Sequence, residues 1–255
     1  MKVLAGWVLV LLVAAAQADT LRTATSPPHR VALLELYTSE GCSSCPPADR
    51  WLSRLRQRGI DSRQLVALAF HVTYWDYIGW RDRFAQKKFD LRQRQLGQSN
   101  ALRTIYTPQF VLNGRDFRRY ADFSTVVRAI NQQSPAVDLK ISSQALGDAG
   151  YRLALTATPR DEAVKDFRLY IAVLEHGLAS EVDAGENEGE HLQHDYVVRR
   201  LYRSPPRSAH DEATLVQSLS LPAHWQRSQL QLAGFVQDVT NGEVLQAVLL
   251  ESAFR

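Results

Sequence analysis

Cysteine is scarce in this chain: two occur in 255 residues. That excludes a small scaffold stapled by several disulfides, and it leaves any zinc site two ligands short unless histidines supply them. A long hydrophobic run is also missing. The apolar stretch from Val3 to Ala16 falls short of the ~18 residues that suggest a membrane span. Preceded by Met1-Lys2 and ending on Ala16-Gln17-Ala18, it reads as a secretory signal peptide over 1–18, cut near Ala18. No cysteine stands at the cut, so a lipoprotein anchor is not expected. The mature chain is expected in the periplasm or outside the cell, without a stable membrane span. Charge of one sign is lacking too. The formal net charge is +3, one unit lower without Lys2, and the arginines are interspersed with acids. That is a solvated surface and not a nucleic-acid footprint. No internal repeat or low-complexity tract is present.

What the chain does have is Glu35-Leu-Tyr-Thr-Ser-Glu-Gly-Cys42-Ser-Ser-Cys45-Pro-Pro-Ala-Asp49. Both cysteines lie between an apolar run of strand length (31–36) and an amphipathic run (Ala48, Trp51, Leu52, Leu55). A strand feeding a helix with Cys-x-x-Cys at the junction suits redox chemistry. The attacking sulfur must be a thiolate, and with a free pKa of about 8.5 it needs help at neutral pH. Unpaired N–H groups and the positive end of the macrodipole at a helix start favour that charge. Cys42 is read as the nucleophile. Cys45 is read as the resolving thiol that attacks the mixed disulfide and releases the partner. Three plainer readings stay open. One is a structural disulfide, although a four-residue loop gains only about 2 kcal/mol against about 5 for a long one. Another is half of a zinc site completed by His191 and His194. The third is a redox fold without activity.

Residues 19–30, with Pro27-Pro28, read as a flexible lead-in. The runs 31–37 and 65–71 suit strands buried on both faces of a sheet. Glu35 interrupts the first, either as a proton relay to Cys45 or as a carboxylate paired with an arginine. A helix is expected to run to about Arg58, with Gly59 as its stop. Pro46 and Pro47, lacking N–H groups, lie within its first turn or remove early hydrogen bonds, so irregular backbone is expected near Cys42. The aromatic-dense loop 71–80 leaves the second strand at the end of the sheet where ligands usually sit. His71 and Trp75 are therefore candidate groove residues beside Cys42. Residues 81–96 read as helix. Asn113-Gly114 is a hairpin turn, and Asp122 is expected to cap a last helix through Ile130.

That order of strand, helix, strand, helix, hairpin, helix, with Cys-x-x-Cys after the first strand and Thr107-Pro108 opening the hairpin, resembles the thioredoxin superfamily. The resemblance implies an α/β thioredoxin-like domain over 31–133 and thiol–disulfide chemistry without cofactor or metal. It also implies a cis Pro108 facing the cysteines, and Thr107 as the substrate-facing position. The motifs further resemble one secreted bacterial thioredoxin-like group catalogued as a domain of unknown function. They are the cysteine motif itself, His71-Val-Thr-Tyr-Trp-Asp76, Arg92-Gln93, Tyr106-Thr-Pro-Gln109, Gly185-Glu-Asn-Glu-Gly189 and His194-Asp-Tyr-Val-Val-Arg199. Thr73 departs from the aspartate that the group carries there.

Beyond Ser134-Pro135 the composition shifts to short apolar runs at 137–142, 151–156, 169–174, 196–202, 230–236 and 244–249. Turn pairs such as Gly147-Asp148 and Asn241-Gly242 separate some of them. This predicts an antiparallel β-sandwich-like C-terminal domain over 136–255. The acidic loop 181–194 reads as solvated, or as a lid if it folds over Cys42. The leading expectation is a thiol–disulfide oxidoreductase acting on a protein or a small thiol or disulfide. The alternatives are a copper- or zinc-handling relative using the cysteines with His71 or His194, and a binding module built on the aromatic loop. The redox reading requires Cys42 partly exposed and Pro108 cis near the sulfurs. The metal reading requires two further N or S donors converging on the pair.

Overall fold

The computed structural model describes residues 21–147, 149–160, 164, 166–208 and 211–254. The expected signal peptide and the Asp148 half of one turn lie outside them. The first half of the chain forms β1 (Leu21–Thr25), β2 (Ala32–Thr38), α1 (Pro46–Ser53), β3 (Leu65–His71), α2 (Lys87–Ser99), β4 (Gln109–Leu112), β5 (Arg115–Asp116) and α3 (Phe123–Asn131). Then follow β6 (Val137–Ala145), β7 (Gly150–Pro159), β8 (Asp166–Glu175), β9 (Leu178–Glu181), β10 (His191–His194), β11 (Val197–Arg203), β12 (Arg207–Ser208), β13 (Ala213–Ser220), β14 (Leu230–Asp238) and β15 (Val244–Leu250).

β2 and β3 are apolar without alternation because both faces are covered, and every residue of each is buried. They run parallel, with Glu35 opposite Leu68. Period-two alternation then sorts the side chains. Ala32, Leu34 and Leu36 face α1 and α3 through Leu52, Phe123 and Val127. Leu33 and Tyr37 face the other way, into a cluster with Phe70, Phe89 and Leu96. That second cluster also takes in Tyr170, Ala172 and Leu174 of β8 and Phe235 of β14. The odd residues of β8 (Phe167, Leu169, Ile171, Val173) point to a third cluster, against Leu139, Ile141, Leu153 and Leu155. One strand thus serves two cores.

The sheet order shows how. β15-β14-β8-β11-β3-β2-β4-β5 form a single sheet, with β12 paired to β8, and the four-stranded sheet β1-β6-β7-β13 packs on part of it. The composition change at 134–135 falls in the connection between α3 and β6. It does not divide the sheet, because β11 inserts parallel to β3 (Val197 opposite Ala69) and antiparallel to β8. Local composition reports which element type a run prefers; it does not report which distant strand will take a free edge.

Four further expectations are corrected. The lead-in is not free: Leu21–Thr25 pairs antiparallel with β6, Thr23 opposite Ser142. Its side chains are mostly exposed, so the backbone ladder carries it and no hydrophobic signal marks it. The helix expected from 81 begins at Lys87, because Asp82 ties down the preceding segment by accepting from the Glu40 and Phe84 amides. Strands β9, β10, β12 and β13 add to those that the apolar runs predict. The Asn113-Gly114 turn is present, both residues at positive φ (48° and 83°), as a tight hairpin requires. α3 starts after Asp122, but that carboxylate accepts from Arg119 instead of capping the helix.

Candidate functional site

The apolar pairing of β2 with β3 ends at Thr38, and the next residues wind directly into α1. Cys42 N donates to Ser39 O, Cys45 N to Cys42 O, and Ala48 N and Asp49 N both to Cys45 O. Cys45 is the N-cap, and Pro46 and Pro47 fill the first two helical positions, where a missing N–H costs nothing. Cys42 and Cys45 form a disulfide with Cα atoms 5.4 Å apart. Both residues are 0% exposed, while Ser43 and Ser44 between them face solvent. The exposure of Cys42 that the redox reading requires is therefore not met in this conformation.

Thr107–Pro108 is a cis peptide bond. Trp75 links it to the cysteine loop. Its indole N–H donates to Thr107 Oγ1 at 2.7 Å, and its Cβ would lie 3.2 Å from a Cβ built on Gly41. The structure thus joins Trp75 and Thr107 to the cysteine loop, Trp75 half-buried as a wall beside it.

Glu35 goes elsewhere. Alternation sends it to the α2 face of β2, where Arg92 Nε and Nη2 each donate to a carboxylate oxygen at 2.7 Å and Tyr37 Oη donates at 2.8 Å. It is a buried ion pair, not a relay to Cys45. Burial, followed by the charge of Glu35, pushes the Tyr37 hydroxyl well above its ordinary range.

His71 is not a groove residue. It is fully buried, with Nδ1 2.6 Å from Asp82 Oδ2, and Nε2 has no partner. Its ring stands nearly perpendicular to that of His194, centroids 4.9 Å apart, and His194 Nε2 lies 3.1 Å from Glu40 Oε1. Thr38 Oγ1 donates to the buried carboxylate of Asp49 at 2.9 Å. Glu40, Asp49, His71, Asp82 and His194 thus form a buried cluster of ionisable side chains. Burial opposes charge on His71, but the carboxylates of Asp82, Asp49 and Glu40 outweigh it and raise its pKa. Burial raises Asp49, and the two histidines and Thr38 offset this only in part. Burial would raise Asp82 as well; His71 and the two amides it accepts from bring it below the usual carboxylate range.

The metal reading does not assemble. Both sulfurs are used in the disulfide. His191 and His194 lie on opposite faces of β10, His191 exposed against Glu181 and His194 buried against Glu40. Among the described residues no three His, Cys, Asp or Glu side chains are grouped to hold an ion.

The acidic loop is not simply solvated. Residues 182–190 fold onto the cysteine loop. Asn187 Nδ2 donates to Glu40 O (2.7 Å) and Cys42 O (3.1 Å), and Ser43 N donates to Glu186 Oε2 (3.1 Å). The Ser43 hydroxyl and amide hold the Glu186 carboxyl below its ordinary value. Asn187, Glu40 and Asp49 all sit inside the sequence motifs, but nothing in their spacing tells that they meet.

Fold and site together define an α/β protein with a Cys-x-x-Cys disulfide at the start of a helix. The chain belongs to the family described as protein of unknown function (DUF1223), whose model matches residues 33–237. No curated protein matches the chain. Among solved structures, protein AGR_C_4864 from Agrobacterium tumefaciens is similar at 24% identity and a TM-score of 0.64, over 88% of this chain and 95% of that one. HBP35 of Porphyromonas gingivalis is similar at 13% identity and a TM-score of 0.65, over 88% of this chain and 76% of that one. Both likenesses are likenesses of fold.

Proposed function

We propose that this chain is an exported thiol–disulfide oxidoreductase whose N-terminal half is thioredoxin-like. The observation that carries the reading is the Cys42–Cys45 disulfide at the end of β2, with Cys45 capping α1. The run β2-α1-β3-α2-β4-β5-α3 supports the thioredoxin-like part, and the N-terminal sequence supports export.

In the oxidising direction a substrate thiolate attacks Cys42 Sγ. The bond to Cys45 breaks, and Cys45 leaves as a thiolate that takes up a proton. The substrate's second thiolate then attacks its own sulfur in the mixed disulfide and expels Cys42 as a thiolate. Two electrons pass to the protein and the substrate leaves as a disulfide. The reducing direction reverses each step. Ser44 Oγ, 3.4 Å from Cys42 Sγ, is placed to donate to the Cys42 thiolate. The prolines, having no N–H, leave the helix dipole and this hydroxyl to favour the anion.

Exchange of the mature protein with a glutathione redox buffer tests the reading. Cys45→Ser is expected to accumulate a mixed disulfide on Cys42, and Cys42→Ser to accumulate none. Wild-type protein that shows no exchange, although its cysteines react normally once unfolded, would sink the reading.

A further inference from the structure

If exchange occurs at Cys42, something must uncover it, since neither cysteine has exposed surface. We infer that residues 182–190 are a lid over the disulfide, and that Asn187 and Glu186 select which thiols reach it; this rests on the oxidoreductase reading. Four observations carry the inference. Asn187 is only 6% exposed and donates its amide N–H groups to the carbonyls of Glu40 and Cys42. Glu186 accepts from the amide of Ser43, the residue after the attacked cysteine. Gly185 packs on the aromatic loop, where a Cβ would come within 3.4 Å of Ile78 O and of Trp80 Cβ, so the loop spans both banks of the site. Finally, among the described residues β9 and β10 pair with each other and belong to neither large sheet.

Hinges are available in the chain. Gly185 and Gly189, at φ 82° and 84°, bracket Glu186 and Asn187. Outside the lid, the hairpin is held by buried Leu192 and by His194, which packs on His71 and Phe84 and lies against Glu40, with the Arg83 guanidinium on Ala179 O. Movement about the two glycines opens the loop while the hairpin and both large sheets stay in place.

The lid implies a substrate class. When Asn187 leaves, the Glu40 carbonyl loses its donor while the Cys42 carbonyl keeps the Cys45 amide, and water or a donor on the substrate must replace the lost bond. A cysteine-bearing polypeptide offers backbone N–H groups for this. A small dithiol has no backbone N–H and leaves that carbonyl mainly to water. The exposed Glu40 carbonyl thus favours thiols held in polypeptide chains, whose N–H groups can take the place of Asn187.

Stopped-flow reduction of the oxidised wild type, Asn187→Ala and Glu186→Ala tests this, using dithiothreitol and a reduced, unfolded two-cysteine peptide at equal thiol concentration. Dithiothreitol is expected to reduce Asn187→Ala about tenfold faster than wild type, the change that about 1.4 kcal/mol produces. About threefold is expected for Glu186→Ala, and the advantage of the peptide over dithiothreitol should shrink in both. Glu186 is exposed, so its variant keeps the test valid if Asn187→Ala folds poorly. Amide exchange should rise in 182–190 while β2 and β3 stay protected. Rates within about twofold of wild type in both variants overturn the lid while leaving the oxidoreductase reading intact. Disulfides that resist both reductants in all three folded proteins overturn the two together.

Discussion

Asp49 lies one helical turn beyond Cys45, buried, with a donated hydrogen bond from Thr38 and two histidines nearby. Burial raises its folded pKa, so the carboxyl is better tolerated neutral than charged. The sign for stability follows. The contribution is complete below the unfolded value of about 3.9 and is lost as pH rises through the raised folded value. An asparagine side chain at this position would keep an oxygen for Thr38 without the charge. Asp49→Asn is therefore expected to match wild type near pH 4 and exceed it at pH 7, by about 1.4 kcal/mol per unit of the native shift. Urea titrations at both pH values check this, and a wild type that gains more than the variant over the interval would refute it. Glu35 teaches a related point about residues. Its place in an apolar strand invites a catalytic reading, yet one position of alternation turns it toward Arg92. A buried pair of this kind is kept by its geometry, since removing either partner strands the other charge.

At the scale of elements, turns and strands follow local chemistry closely. The Asn113-Gly114 hairpin falls where the residue types place it, whereas α1 stops at Ser53, short of the expected Arg58, and Gly59 closes a separate 3-10 turn over Arg56–Arg58, both glycines in the left-handed region. The demands on them differ. A Cβ on Gly114 would stand 2.0 Å from Gly242 O, whereas one on Gly59 meets nothing within 4 Å. Gly59→Ala is expected to cost about 1 kcal/mol, from backbone strain alone. Gly114→Ala should cost about 2–4 kcal/mol, because strain and overpacking of a fixed backbone add. Denaturant midpoints of the two variants measure the difference, and equal losses would mean the β4–β5 and β14–β15 turns are not packed as described. β1 and the β9–β10 hairpin are hardest to read from sequence. Both are short and largely exposed or exposed on alternate residues, and their packing partners lie on other elements.

For the whole molecule, the decisive feature is that the parallel strands and the later antiparallel ones share one sheet. The core over α2 draws Phe70 and Phe89 from the first half and Tyr170, Ala172 and Phe235 from the second. Residues 19–135 expressed alone would expose that face and the edge of β3 that β11 covers. Such a fragment is expected to aggregate or to bind a hydrophobic dye without a cooperative melt. A monomeric fragment with a sharp thermal transition would show that the N-terminal half folds by itself, against this description.

The sequence alone determined what is local. It set the identities of the buried runs, the tight turns and the nearness of two cysteines three positions apart, because each depends on a few neighbouring residues and their intrinsic geometry. Tertiary structure decided the rest: which face Glu35 presents, that His71 and His194 are buried against carboxylates, that the sheet crosses residue 135, and that an acidic loop 145 residues after Cys42 along the chain lies on the disulfide. These depend on burial and on long-range pairing, where the free energy belongs to partners that no local pattern names.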